Sequence, residues 1–171
     1  MDRLQSQEVL SILCKLSGEK KLQGILSKGQ DPVLFLAADF SNISHDAFIG
    51  ACAVKDQSAL WRKASMSYYF RRWISGAEPR RPAERDRWRF FVEEFPKIAS
   101  FRCKARKQFS EFVKSKKTQM IGSVRLGYSK PFLRDAQYRV SSPYGRLVWS
   151  EKDFPATFGE LLAAITAAEK K

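Results

Sequence analysis

Between Pro96 and Lys117 the apolar residues Ile98, Phe101, Ala105, Phe109, Phe112 and Val113 recur at helical spacing, while Lys97, Lys104, Lys107 and Lys114 share a face well away from them. A helix with one apolar side is stable only when another element covers that side. This single segment therefore demands a surrounding core. The chain has the means to build one: 44% of its 171 residues are hydrophobic and 13% aromatic, which sets global disorder aside. Its length fits one helical domain over residues 1–171.

The covering elements are readable in the preceding residues. Leu4, Val9, Ile12, Leu13 and Leu16 lie near helical spacing after Asp2 as a candidate N-cap, with Gly18 as the stop. A short helix over Lys20–Lys28 is closed by Gly29, and Asp31-Pro32 combines an N-cap with proline at the first helical position. The six apolar residues from Val33 to Ala38 fit a helix or a buried strand, and helix is favoured. Ser44 caps a helix through Phe48, Ile49 and Cys52, and a longer one runs from Gln57 to Ser75 before Gly76. The two prolines in Ala77–Pro82 make that stretch an exposed connector.

Trp88, Phe91, Val92 and Phe95 then follow the i, i+3, i+4, i+7 pattern up to a break at Pro96. From Thr118 to Trp149 the periodicity fades, and Tyr138–Val140 and Arg146–Trp149 flank a turn signal, as in a small hairpin. Thr157 and Glu160 form a capping-box pattern ahead of a last helix. The expected fold is mainly α: a compact helical bundle of about six helices with a small β-hairpin or irregular element near residues 120–150.

Charge is distributed unevenly. Lys and Arg number 31 against 18 Asp and Glu, a net charge of +13. Residues 1–61 hold 6 basic and 7 acidic side chains, residues 62–117 hold 17 and 6, and residues 118–171 hold 8 and 5. A surplus confined to the middle third points to a localised surface for a polyanion, and nucleic acid is the commonest such partner. On a helix rising 1.5 Å per residue, Lys97, Lys104, Lys107 and Lys114 spread over roughly 25 Å, enough to track several phosphates.

Arginine suits phosphate because its planar fork stays charged, which adds Arg62, Arg71, Arg72, Arg80, Arg81, Arg85, Arg89, Arg102 and Arg106 to the candidate site. Of the 22 aromatic residues, 12 fall between Trp61 and Phe112. Trp88, Phe91, Phe95, Phe101, Phe109 and Phe112 sit at core spacing; Tyr69, Trp73 and Phe90 lie off or beside the stripes and are the candidates for stacking on bases.

Other chemistry finds little local support. There is no GxSxG elbow, no GxxxxGK[ST] phosphate loop, no HExxH and no GxGxxG, and His45 is the lone histidine. Asp39, Asp46 and Asp56 could assemble a magnesium site for a nuclease, but helix caps and turns account for each equally well. Glu93-Glu94 with Lys97 fits a carboxylate-lysine pair or an ordinary i, i+4 salt bridge. No metal and no cofactor are expected. Cys14, Cys52 and Cys103 form no CxxC pair, so a reducing, intracellular setting fits best. The longest apolar run is far short of a membrane span, and no membrane partner is expected.

The expected function is therefore binding of the DNA or RNA backbone without sequence readout, with other protein subunits as further partners. In size and charge the chain resembles the small helical subunit of a CRISPR effector complex. That resemblance rests on no residue motif and implies an accessory role in a larger nucleoprotein complex. The alternatives are a helical adaptor docking an acidic protein and a metal-dependent enzyme acting on nucleic acid.

Overall fold

Capping decides where most of the helices begin. In a computed structural model describing residues 3–169, with side chains from Gln7 onward, α1 spans Arg3–Ser17, α2 Lys20–Ser27, α3 Pro32–Phe40 and α4 His45–Ala53. Helix α5 spans Gln57–Ile74, α6 Pro82–Glu94, α7 Pro96–Ser115 and α8 Phe158–Glu169. Side chains of Glu19, Asp31, Ser44 and Asp56 accept backbone N–H bonds at the starts of α2 to α5, each satisfying a donor the helix cannot. The expected cap Asp2 and the side chain of Leu4 lie outside the described residues.

Helices α6 and α8 share a second device. Glu84 and Glu160, each third in its helix, reach back to the backbone N–H of Arg80 (2.6 Å) and Ala156 (2.9 Å). Thr157 Oγ1 accepts from the Glu160 N–H, so the expected capping box is present with its return bond displaced by one residue.

The chain is mainly helical, with eight helices among the described residues and not about six. The difference lies in short helices that end in separate turns: Gly29, Asn42 and Lys55 take left-handed backbone conformations and stop α2, α3 and α4. The 120–150 element is also larger than a hairpin. Strands β1 (Gln119–Ile121), β2 (Val124–Ser129), β3 (Gln137–Ser142) and β4 (Gly145–Ser150) form an antiparallel sheet in the order β1-β2-β3-β4. No helix is long and apolar enough to cross a membrane among the described residues.

Two compact units result, unit 1 comprising the chain to Gly18 together with Lys97 onward, and unit 2 comprising Glu19–Pro96. In unit 1 the core joins Ala105, Phe109 and Phe112 of α7 to Ile121, Val124, Leu126, Tyr138 and Val140 of the sheet and Leu161 and Ile165 of α8. Helix α1 packs on α8. Gly122 turns β1 into β2 at φ +60°, and an added Cβ there would come within 3.2 Å of the Phe101 ring.

Unit 2 is all helix. Phe70 and Trp73 of α5 meet Phe91 of α6 and Phe95 just beyond it, with ring centroids 5.3 to 6.4 Å apart. Leu36, Ala37 and Ala38 of α3 and Phe48 of α4 are buried in the same unit. The run from Val33 to Ala38 is thus helical, because α3 packs against α4 and α5 and no strand is available to pair with it. Val92 and Val113, expected in apolar stripes, are 45% and 40% exposed; they lie at the edges of their stripes, beyond the residues that cover them.

Candidate nucleic-acid interface

The basic stretch 62–117 crosses the division between the units at Lys97, and its two parts differ in kind. Residues 62–96 carry 9 cations against 5 carboxylates, whereas residues 97–117 carry 8 against Glu111 alone. By whole units, unit 1 has 18 basic and 8 acidic residues (net +10) and unit 2 has 13 and 10 (net +3).

Helix α7 presents most of its share to solvent. Ile98, Ala105, Phe109 and Phe112 fill its inner side, and Lys97, Lys104, Arg106, Lys107 and Lys114 are exposed on the remainder, with Arg102 half-buried. Lys97, Arg102 and Arg106 are each engaged by other groups of the chain. Lys104, Lys107 and Lys114 make no hydrogen bond or ion pair among the described residues. Lys116 is held differently: a 2.6 Å hydrogen bond to Glu151 raises its pKa, and its ammonium lies 4.7 Å from the Tyr128 ring centroid. The same bond lowers the Glu151 pKa.

Several cations of unit 2 serve the fold instead. Arg72 donates to the Tyr68 hydroxyl at 3.4 Å and to Glu84 at 3.2 Å, and the Tyr68 bond foremost, then the Glu84 charge, raises its pKa. Glu84 is only 4% exposed, and the Arg80 backbone N–H foremost, then Arg72, holds its carboxyl below the usual range. Arg72 thus already has a carboxylate of its own unit as partner. Lys63 pairs with Asp31, Lys21 with Glu94, and Arg71 reaches the Ser67 carbonyl. Arg62 on α5, Arg80 and Arg81 in the connector, and Arg85 and Arg89 on α6 are exposed. Arg85 and Arg89, four residues apart, continue along their ridge into the exposed Glu93.

The stacking candidates need one correction. Trp73 is 1% exposed, enclosed by Phe70, Phe91 and Phe95, and is core. Tyr69 is half-buried with the Arg87 guanidinium 4.4 Å from its ring centroid, and Phe90 packs edge-on against Phe40. Neither ring is open on both faces.

The acidic residues weighed for a metal are dispersed in role. Asp39 meets His45 at 2.7 Å, Asp46 lies in the first turn of α4, and Asp56 caps α5. No group of three His, Cys, Asp or Glu side chains placed to hold a metal occurs among the described residues. Cys14 is buried, Cys52 half-buried and Cys103 exposed, and among the described residues none is in a disulfide.

Three cations absent from the sequence-based site stand out on the sheet. In Val124-Arg125-Leu126 and Tyr138-Arg139-Val140 each arginine is exposed between two residues that face the core, and Arg146 is exposed on β4. The signal was the period-two alternation, legible only once 124–126 is known to be a strand. Comparison with protein-family models, curated proteins and solved structures matches this chain to none of them.

Proposed function

We propose that this protein binds the phosphate backbone of DNA or RNA without reading sequence, as an accessory subunit of a nucleoprotein complex, and that unit 1 carries the interface. One observation bears most of the weight. Lys104, Lys107 and Lys114 occupy the solvent side of a 20-residue helix whose other side is core, and no carboxylate pairs with them among the described residues. Each phosphate neutralised by such a cation releases condensed counterions, so a rigid row of unpaired lysines contributes affinity that falls steeply with salt.

The test is fluorescence anisotropy with labelled single- and double-stranded DNA and RNA at two salt concentrations. The variant K104E/K107E/K114E is expected to bind about a hundredfold more weakly and to lower the slope of log affinity against log salt by about 2 to 3. Its helical circular dichroism and melting temperature should stay nearly unchanged, since these side chains are exposed and make no hydrogen bond or ion pair among the described residues. Full affinity in that variant defeats the proposal. A wild type that ignores every oligonucleotide yet binds polyglutamate would favour the acidic-protein adaptor.

A further inference from the structure

We infer that the open face of the four-stranded sheet, with the tip of its β2–β3 hairpin, is a second contact that takes single-stranded nucleic acid, its arginines on phosphates and Phe132 against a base. This inference rests on the nucleic-acid reading above and names the form of the strand.

The register places the cations. Arg125 of β2 pairs with Ser141 of β3, and Ser141 with Arg146 of β4, so the two arginines end one row across three strands. Strands lie about 4.8 Å apart, which separates their Cα atoms by roughly 10 Å. Arg139 sits one row along, between Gly127 and Val148. No outward strand position on this face is Asp or Glu. Arg125 and Arg146 each stand diagonally across from Arg139, within reach of long side chains, so the three cations share one patch with no strand carboxylate beside them.

Gly127 is the second observation. A Cβ added there meets only the Arg139 carbonyl oxygen, at 3.9 Å, and the backbone is not in the left-handed region. Neither space nor backbone geometry calls for glycine at this position. Glycine weakens a strand interior and there often marks a bulge, a tight bend or the close approach of a backbone or ligand; the pairing of β2 with β3 runs through Gly127 without a bulge. With Ser141 diagonal to it, Gly127 leaves a low floor between the guanidinium groups.

The hairpin tip adds a stacking surface. Phe132 and Leu133 are 91% and 89% exposed, and Leu133 is held at φ +59°, where leucine is rarely found. Lys130 and Arg134, both exposed, flank them. A ring this open adds little to the core but offers both faces to a base, an interaction worth about 1–3 kcal/mol in single-strand binders. Duplex fits poorly: the major groove is about 12 Å wide and admits a helix or a two-stranded ribbon, while a four-stranded sheet is broader. A paired base, moreover, has no free face to stack.

Anisotropy with a labelled single strand and its duplex tests this on the full chain. The variants R125E/R139E/R146E and F132A/L133A are each expected to lose about tenfold or more in single-strand affinity, with duplex affinity held within about twofold. Gly127→Val guards against misfolding, because valine favours a strand: its melting temperature should hold or rise while single-strand affinity falls. Wild-type single-strand affinity in all three, beside a loss in K104E/K107E/K114E, would overturn the sheet contact and leave the helix reading standing. A wild type that binds no oligonucleotide removes both. Binding to phosphatidylserine vesicles that F132A/L133A abolishes, with single-strand affinity intact, would assign the tip to a membrane surface and overturn the inference.

Discussion

Unit 1 and unit 2 both bury a cluster of aromatic rings, yet unit 2 ties several of its cations to its own carboxylates and rings while others, among them Arg62, Arg81, Arg85 and Arg89, stay exposed. In unit 2 Arg72 anchors the buried Glu84, Lys63 and Lys21 meet carboxylates, and Arg87 lies over Tyr69 and Phe40. In unit 1 the pairs Lys15–Glu169 and Lys116–Glu151 account for two cations, while three α7 lysines and the sheet arginines keep their charge for solvent. Local density of Lys and Arg thus says less about binding than whether the fold has already supplied each cation with an anion.

The largest effects test whether each unit rests on its own rings. Trp73→Ala in unit 2 and Phe112→Ala in unit 1 each remove a fully buried ring and are expected to cost about 3–5 kcal/mol in urea unfolding. Oligonucleotide affinity, measured where both variants remain folded, should drop for Phe112→Ala, which unseats α7, and hold for Trp73→Ala. An equal drop in both would break the contrast between the units.

Next in size is charge reversal. K104E/K107E/K114E should cost about a hundredfold in affinity, and R80E/R81E/R85E, the matching change in unit 2, no more than about threefold. Equal losses would restore the whole 62–117 stretch as one interface.

Glu84→Gln addresses the cations that serve the fold. The Glu84 carboxyl titrates below its ordinary value when folded, so its contribution is present above the unfolded carboxylate pKa and disappears as pH falls through the lowered one. The melting temperature of Glu84→Gln should lie below that of wild type at neutral pH, and the two should converge in acid. A gap independent of pH would show that packing, not charge, holds Arg72 and the connector. Glu151→Gln should follow the same sign with the smallest change of all, because Lys116 and Glu151 are 37% and 54% exposed and water screens them.

How much of this was legible in the sequence depends on the range of the interaction. Asp31-Pro32, Ser44, Gly76 and Thr157 with Glu160 were readable because a cap joins residues within one turn. The exposed lysine row of α7 was readable for the same reason: one helix carries both its apolar stripe and its lysines. The burial of Trp73 and the pairing of Arg72 were not legible because each depends on a partner on another helix, the rings of α6 in one case and Glu84 in the other. Arg139 and Arg146 lie on strands the sequence does indicate, but which side of those strands faces out, and that Arg125 joins them on β2, depend on the pairing of β2 with β3 and on the core beneath the sheet.

By itself, then, the sequence determined the mainly helical character, most of the helix ends and the lysine side of α7, since 3.6-residue periodicity and capping act between near neighbours. Only the tertiary structure decided which cations stay unpaired, which rings are enclosed and which face of the sheet is open. Those properties arise from contacts between segments distant in the chain, which no local spacing encodes.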